Sequence, residues 1–343
     1  MNQASPFNRN ALSDLTDSYE RQQAAIEAFN QAVEAGDDDS ARAVCEFVVR
    51  DEESCNLFGA GFQMHCLTWL TQHFRQRYAE SEDGSEEEAL AIEGLIECFW
   101  EHKWIVARLP LDVSLTQEDI ANANELLAAL HEEGHLGAAA VEKCLMLQSI
   151  HMGEAEAARR HFQAWQNAAD DESSDCEACE QSSLIEYYHF IGEHAKVLEC
   201  AEPVLSGHLI CGEVPHISYA PVIDSMIKLG REQEAYSLLQ RAMEHITEEN
   251  QNFSFLLAPL AVLCFRLGKH EEAADFMDEY AEEMHNAGKN NVLYGLDYLL
   301  AVAPFNEDAQ AAARGLAKEL DERNGNSHYQ STLEYLFGPS AVH

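Results

Sequence analysis

The sequence predicts an all-α protein, built as a right-handed superhelical stack of antiparallel helix hairpins. Turn residues recur at intervals of 39, 38, 38 and 38 residues, at Gly153, Gly192, Gly230, Gly268 and Asn306. A small or β-branched residue follows each turn five positions later: Ala158, Val197, Ala235, Ala273 and Ala311. Gly and Asn favour the left-handed cap that ends a helix, and a small residue lets the next helix pack closely. A fixed period of this length is typical of stacked helical hairpins.

Apolar stripes at helical spacing predict four helices before the repeats. These helices cover residues 11–35, 36–49, 54–78 and 86–108. An acidic segment rich in Ser and Gly, residues 80–88, is predicted to be a solvated loop between the last two. Pro110 ends the fourth helix, because proline cannot continue the hydrogen-bond ladder. We therefore expect an N-terminal helical bundle, or set of capping hairpins, over residues 1–110.

Residues 111–343 are predicted to hold the repeat array. Thr116 and Asp119 have the spacing of a capping box, which predicts a helix start. The predicted helices cover 118–133, 138–151, 155–168, 181–191, 194–206, 217–229, 232–247, 254–267, 270–286, 290–302, 307–322 and 328–336. No segment alternates apolar and polar residues for long enough to predict a strand. The last short helix would cover the exposed end of the stack.

Three of the turns share a bulky residue, then Gly four positions later, then a small or β-branched residue five positions after the Gly. The triplets are Tyr188/Gly192/Val197, Met226/Gly230/Ala235 and Cys264/Gly268/Ala273. Over about residues 120–322 this pattern resembles the tetratricopeptide-repeat family, although the usual period is about 34 residues and the early Trp-Leu-Gly signature is missing. The resemblance implies an α-solenoid whose concave face binds peptides or protein segments.

Composition restricts the partners that this chain can have. Its 61 acidic and 21 basic residues give a formal net charge of -40. Such a field repels nucleic acids and anionic membranes and favours encounter with a basic protein or peptide. Plain solubility is the alternative explanation. The sequence has no secretory signal and no membrane-span-length apolar stretch, and its ten cysteines then indicate a reducing compartment, so we expect a cytoplasmic protein.

Two cysteine-containing segments lie just before and just after the hairpin predicted over residues 181–206. The first holds Cys176 and Cys179, and the second holds Cys211 and His216. The outer ends of a hairpin lie together, so we expect the two segments to be neighbours. Two thiols separated by two residues, with a third thiol and an imidazole, are a common ligand set for zinc. We therefore predict one structural Zn²⁺ bound by these four residues.

A metal ion bound in this way would join the loops over residues 170–180 and 207–216. The second loop contains the spacing Gly207, Cys211 and Pro215. Together with the preceding cysteine pair, this spacing resembles that of uncharacterised bacterial repeat proteins. That resemblance supports the site and implies no function.

Other interpretations of the cysteine segments stay open. His208, His189 or His194 could replace His216 as the fourth ligand. A Cys-x2-Cys pair before a helix also occurs in thioredoxin-like redox proteins, but these need a βαβ context and a lowered thiol pKa. The sequence predicts neither, because the acidic residues around the thiols should raise their pKa values. The third interpretation is that the four residues have no common role.

Residues 131–135 match the His-Glu-x-x-His pattern of zinc metalloproteases. In that chemistry, two histidines one helical turn apart bind the metal and the Glu is the general base. Here Gly134 stands at a turn position of the repeat, so we expect the helix to end inside the motif. The alternative function is that of a zinc metallohydrolase that uses His131, Glu132 and His135. Our main expectation is that the protein is not an enzyme.

The expected function is a non-enzymatic scaffold for protein–protein interaction. Its partner would be a basic protein or peptide that docks on the concave face of the repeats. An immunity or antitoxin protein that blocks a basic toxin, and a regulatory peptide sensor, are sharper versions of this hypothesis. Tyr219 and Tyr294 are candidates for that face, although an aromatic residue more often lies in the core.

Overall fold

The computed structural model describes residues 8–247 and 251–337 of the chain. These residues form seventeen α-helices and four 3₁₀-helices, and they contain no β-strand. The predicted all-α class is therefore confirmed. None of the helices in these ranges has the length and the apolar character of a membrane span.

Five α-helices form the N-terminal part. They are α1 (Arg9–Ser13), α2 (Ser18–Ala35), α3 (Asp38–Arg50), α4 (Ala60–Glu80) and α5 (Glu86–Arg108). The single helix predicted over 11–35 is two helices, because the Asp17 carboxylate accepts hydrogen bonds from two backbone N–H groups and caps a new start. Ser85 caps α5 in the same way. The acidic loop between α4 and α5 is thus shorter than predicted.

Twelve α-helices follow. They are α6 (Gln117–Glu133), α7 (Ala139–His151), α8 (Ala155–Asn167), α9 (Glu177–Phe190), α10 (His194–Leu205), α11 (Tyr219–Lys228), α12 (Glu232–Thr247), α13 (Leu257–Arg266), α14 (His270–Ala287), α15 (Val292–Val302), α16 (Glu307–Asn324) and α17 (His328–Phe337). The 3₁₀-helices cover Cys55–Leu57, Leu109–Leu111, His216–Ser218 and Gln251–Leu256. Sequence neighbours pack in pairs from α7 with α8 to α15 with α16.

Four of the five repeat turns have the predicted left-handed backbone. The φ angles are 71°, 78°, 73° and 73° at Gly153, Gly192, Gly230 and Gly268. The small residues that follow are at most 1% exposed, and they are Ala158, Val197, Ala235 and Ala273. A larger side chain at these positions would push the paired helices apart. The five-residue spacing from each turn Gly to a small residue therefore marks a point where two helices pack closely.

The fifth turn differs from the prediction. Asn306 has a φ of -148° and is the N-cap of α16, where its side chain accepts hydrogen bonds from two backbone N–H groups. The register of α16 is therefore shifted. Ala311 is exposed, and Ala309 and Ala313 are the buried small residues instead.

Buried apolar side chains form three clusters along the chain. The first runs from Leu12 to Tyr187, the second from Ala178 to Ala301, and the third joins α15, α16 and α17. Tyr219, an expected concave-face residue, is 3% exposed and belongs to the second cluster. The predicted division of the chain at residue 110 stays a prediction.

The last helices return to the first ones. The backbone N–H and the hydroxyl of Ser18 donate to the side chain and the carbonyl of Asn286, at 2.7 and 2.6 Å. Similar hydrogen bonds join Asn291 to Asn56, Arg323 to Pro110, Asn324 to Met152 and Tyr329 to His151. The last segments of the chain therefore lie directly against segments of its first half.

Candidate metal centre

Three cysteines meet where α9 begins and where the chain turns after α10. Their Sγ atoms all lie within 4.8 Å of one another, and they belong to Cys176, Cys179 and Cys211. The Sγ atoms of Cys179 and Cys211 are 3.3 Å apart. The predicted proximity of the two cysteine segments is confirmed. Three sulfur atoms at this spacing could bind one metal ion between them.

The first cysteine segment is part of a helix rather than a loop. α9 begins at Glu177, four residues before the predicted start, and Cys176 is its N-cap with an extended backbone (φ -65°, ψ 155°). Cys179 therefore lies in the first helical turn, on α9 itself. A helix start holds both thiols in one orientation, which a mobile loop would not do.

A tight turn holds the third cysteine against α9. The backbone N–H of Cys211 donates to the carbonyl of Val214 at 3.1 Å, and Val214 is fully buried. A few residues later, the hydroxyl oxygens of Ser182 in α9 and Ser218 lie 3.0 Å apart. These contacts fix the segment after α10 on the surface of α9, so Cys211 faces Cys179.

His216 lies outside this group of thiols. Its side chain is buried and its ring stacks on Phe253, with the centroids 4.7 Å apart. The ring of His245 lies 4.4 Å away on centroids. These aromatic contacts explain the position of His216, because they place its ring in the second apolar cluster.

The three alternative histidines also stand apart from the thiols. His189 Nε2 lies 2.7 Å from a carboxylate oxygen of Asp224, and His194 Nδ1 lies 3.1 Å from the hydroxyl of Ser225. His208 is exposed in the turn after α10. Over residues 8–247 and 251–337, the three cysteines form the one group of three or more possible metal ligands at this spacing.

The surroundings of the thiols shift the pKa values of Cys176 and Cys179 in opposite directions. Burial acts to raise the pKa of Cys176, but hydrogen bonds from the backbone of Cys179 and from both neighbouring thiols outweigh it and lower that pKa. The pKa of Cys179 is raised, first by burial and then by the other two thiols. The expectation that acidic neighbours raise these pKa values is wrong for Cys176, because the helix N-terminus favours its thiolate.

A lowered pKa at Cys176 meets one requirement of the redox interpretation. The other requirement, a βαβ context, is absent from the described part of the chain, which has no strand. A thiolate is also the form of cysteine that binds a metal ion. The geometry therefore suits a metal ligand at least as well as a redox thiol.

A buried ion cluster lies directly behind the first cysteine segment. The Asp175 carboxylate pairs with Lys103 Nζ at 2.6 Å and also pairs with Lys143. Lys143 pairs in turn with Glu180 at 2.6 Å, and Lys103 donates to the carbonyl of Ser173 at 2.5 Å. These contacts attach residues 173–180 to α5 and α7.

Tryptophan rings surround the ammonium groups of this cluster. Lys103 Nζ lies 3.3 Å from the ring centroid of Trp100, and Lys143 Nζ lies 5.6 Å from that of Trp104. Burial lowers the pKa of Lys103, and the Asp175 carboxylate opposes that shift. This cluster was not predicted from the sequence. Its one signal is that Lys103 lies between two tryptophans in a chain that has only 21 basic residues.

The end of a helix divides the His-Glu-x-x-His motif, as predicted. α6 ends at Glu133, and His135 lies beyond it with a left-handed φ of 55°. His131 is buried, and its Nδ1 lies 3.4 Å from the carbonyl of Gly137. The two histidines are thus not one turn apart on a helix, which the metalloprotease chemistry requires.

We expect Glu132→Gln and His131→Ala to leave the metal content of the chain unchanged. Glu132 is exposed, so its amide variant should also keep the stability of the parent chain. Elemental analysis of the purified variants beside the parent chain measures the effect. Loss of one metal equivalent from a folded His131→Ala chain would contradict the expectation. So would a hydrolytic activity that Glu132→Gln abolishes.

Comparison of the chain with protein-family models, with curated proteins and with solved structures gave no match. The resemblance to tetratricopeptide repeats therefore depends on the turn pattern described above.

Proposed function

We propose that the chain is a non-enzymatic scaffold of the tetratricopeptide type, wound as a right-handed superhelix, which binds a basic protein or peptide in the cytoplasm. The charge balance is the observation that carries this proposal. If each of the 21 basic residues paired with one of the 61 acidic residues, 40 acidic residues would still be unpaired. A surface of this kind attracts a basic partner over long range.

The positions of the basic residues support the same proposal. Many of them pair with acidic residues of the chain, as Arg50 does with Glu97 and Glu101 at 2.5 and 2.6 Å. Arg231 pairs with Glu234 at 2.6 Å on the surface. Internal pairing of the cations leaves the surplus of acidic side chains for an external partner.

We also propose that one structural Zn²⁺ is bound by Cys176, Cys179 and Cys211. Thiolates are preferred zinc ligands, and the ion would join α9 to the turn after α10. His216 would have to leave its stack on Phe253 to complete the set. A water molecule, or a ligand from outside the group, is therefore the fourth ligand that the geometry favours. An ion held in this way stabilises the folded state.

Association with a basic partner is expected to depend on salt through the on-rate. With a Lys/Arg-rich peptide as the probe, the on-rate should fall at least about tenfold between about 20 and 150 mM salt. The off-rate should change less, because it depends on short-range contacts. Surface plasmon resonance on the immobilised chain measures both rates.

The acidic loop between α4 and α5 supplies the matched control. Reversal of its charges is expected to change the rates little, because a solvated loop contributes solubility rather than a docking surface. Tyr294→Ala is expected to raise the off-rate, because Tyr294 keeps part of its surface accessible. An affinity that does not change with salt would contradict electrostatic docking.

A further inference from the structure

One face of α5 is bare over the N-terminal half of the helix. Of the eleven large apolar side chains that are exposed among the described residues, four lie in this helix. Ile92, Ile96 and Trp100 are 41%, 64% and 39% exposed, and their spacing of four residues places them in one line along α5. We call these three residues the α5 stripe. An exposed apolar patch that is continuous in this way is typical of an interaction site.

The same face of α5 is covered in its C-terminal half. Lys103 and Ala107 continue the line of the α5 stripe at helical spacing, and each is 3% exposed. Here the chain supplies the cover from α7, where Gln148 donates to the carbonyl of Val106 at 2.8 Å. The α5 stripe is therefore the bare continuation of a face on which a helix of this chain already packs. A second helix laid along α5 has the shape that fits it.

Acidic side chains along one edge of the α5 stripe indicate the charge of its partner. Glu93 lies three residues before Ile96, which makes the two side chains surface neighbours. Glu97 has the same relation to Trp100, and it pairs with Arg50 at 2.5 Å. Glu93 is exposed and makes no ion pair with a described residue. Its carboxylate is therefore available to a cation of the partner.

The C-terminal end of the α5 stripe is acidic as well. Lys103 Nζ lies 3.3 Å from the ring centroid of Trp100 and donates to the carbonyl of Ser173 at 2.5 Å. The segment that leads into Ser173 is therefore close to the Trp100 ring. Asp170 and Glu172 of that segment are both exposed. Carboxylates thus lie along one edge of the stripe and near one of its ends.

We propose that the α5 stripe binds an amphipathic helix whose apolar face is flanked by lysine or arginine. The apolar face packs on Ile92, Ile96 and Trp100, and the flanking cations lie near Glu93 and residues 170–172. A second copy of this chain fits less well, because two copies of net charge -40 would bring the same carboxylates together. The inference rests on the basic partner proposed above and adds a contact surface for it outside the repeats.

A labelled synthetic peptide of about 18 residues, with leucines on one helical face and lysines on the rest, tests this proposal. Fluorescence anisotropy at about 150 mM salt gives its affinity for the full chain. Ile92→Gln/Ile96→Gln should weaken binding at least about tenfold, because apolar anchors supply most of the binding free energy. Glu93→Gln should weaken binding about two- to fivefold, and less as salt rises. These substitutions place a good helix former at exposed helical positions, so the variants should fold.

The matched control is Val33→Gln/Leu229→Gln, which removes two apolar side chains that are 46% and 44% exposed elsewhere on the surface. It should leave the affinity unchanged. If Ile92→Gln/Ile96→Gln binds the lysine peptide as the parent chain does, the α5 stripe is not the docking surface, and the basic-partner proposal still stands. If neither this peptide nor the Lys/Arg-rich peptide binds the parent chain, both proposals are overturned.

Two further measurements test the nature of the occupant. A peptide in which glutamates replace the lysines should not bind, and equal binding of the two peptides would overturn the choice of a basic helix. In sedimentation velocity, the parent chain and Ile92→Gln/Ile96→Gln should sediment alike. A parent dimer that these two substitutions dissociate would assign the α5 stripe to a second copy of the chain and overturn the proposal.

Discussion

Asp175→Asn is expected to destabilise the fold by about 3–5 kcal/mol, because it removes the counter-ion of two buried ammonium groups. The Asp175 and Lys103 side chains are each 2% exposed and that of Lys143 is 3% exposed. Lys143 keeps Glu180 as a second partner, whereas Lys103 keeps the carbonyl of Ser173. The change in the free energy of unfolding, measured in urea, checks this prediction.

Asp170→Asn is the matched control, since Asp170 is exposed in the same segment. It should change the free energy of unfolding by no more than about 0.5 kcal/mol. Combining Lys103→Met with Asp175→Asn should recover part of the stability, because the buried ammonium group that keeps no carboxylate partner is then gone. Equal stability of the Asp175 and Asp170 variants would show that the ion cluster does not hold the segment.

The same substitution should affect the metal centre. Asp175 directly precedes Cys176, and Glu180, the other acidic partner of Lys143, accepts a hydrogen bond from the backbone N–H of Asp175 at 2.9 Å. Loss of contacts that orient metal ligands typically weakens metal binding about 10–100-fold. A competition titration with a chromophoric chelator would report that loss even if the chain stays folded.

Much of the helical framework could be predicted because its signals are local. Gly192 and Val197 show this: the left-handed turn and the buried small residue depend on a few neighbouring residues. Asn306 shows where local information fails. Asn is favoured both after the end of a helix and at its N-cap. The packing of α16 decides between these two uses, and that packing is not visible in the turn itself.

The candidate site divides in the same way. The two cysteine segments flank one predicted hairpin, and this arrangement predicted that Cys179 and Cys211 would meet. The position of His216 depends on its contact with Phe253, which belongs to a later hairpin. The spacing of the candidate ligands in the sequence does not reveal where Phe253 lies. The pairing of Lys103 with Asp175 joins segments 72 residues apart, and such pairs follow from tertiary packing alone.

The return of the last helices to the first ones had no sequence signal at all. It depends on contacts such as that of Tyr329 with His151. A period predicts the stacking of neighbouring hairpins, whereas closure of the chain depends on contacts between its ends.

We expect the parent chain to bind one zinc ion and the double variant Cys176→Ser/Cys179→Ser to contain none. This loss of metal is the second large effect that we expect. The variant removes two of three thiolate ligands, and a single remaining thiolate cannot hold the ion against competing buffer. Elemental analysis of protein purified without added metal measures the content. Hydrogen exchange should become faster in residues 170–216, because the ion no longer joins α9 to the turn after α10.

Two variants separate the ligand set from general effects of substitution. Cys200 lies on α10, outside the thiol group. The Cys200→Ser variant should therefore keep the full metal content. His216→Ala should also keep it, since the His216 ring packs on Phe253 rather than on the thiols. With Co²⁺ in place of zinc, an unchanged absorption spectrum in His216→Ala would support a fourth ligand from outside the group. A parent chain that contains no metal and melts at the same temperature with and without a chelator would rule out the structural zinc.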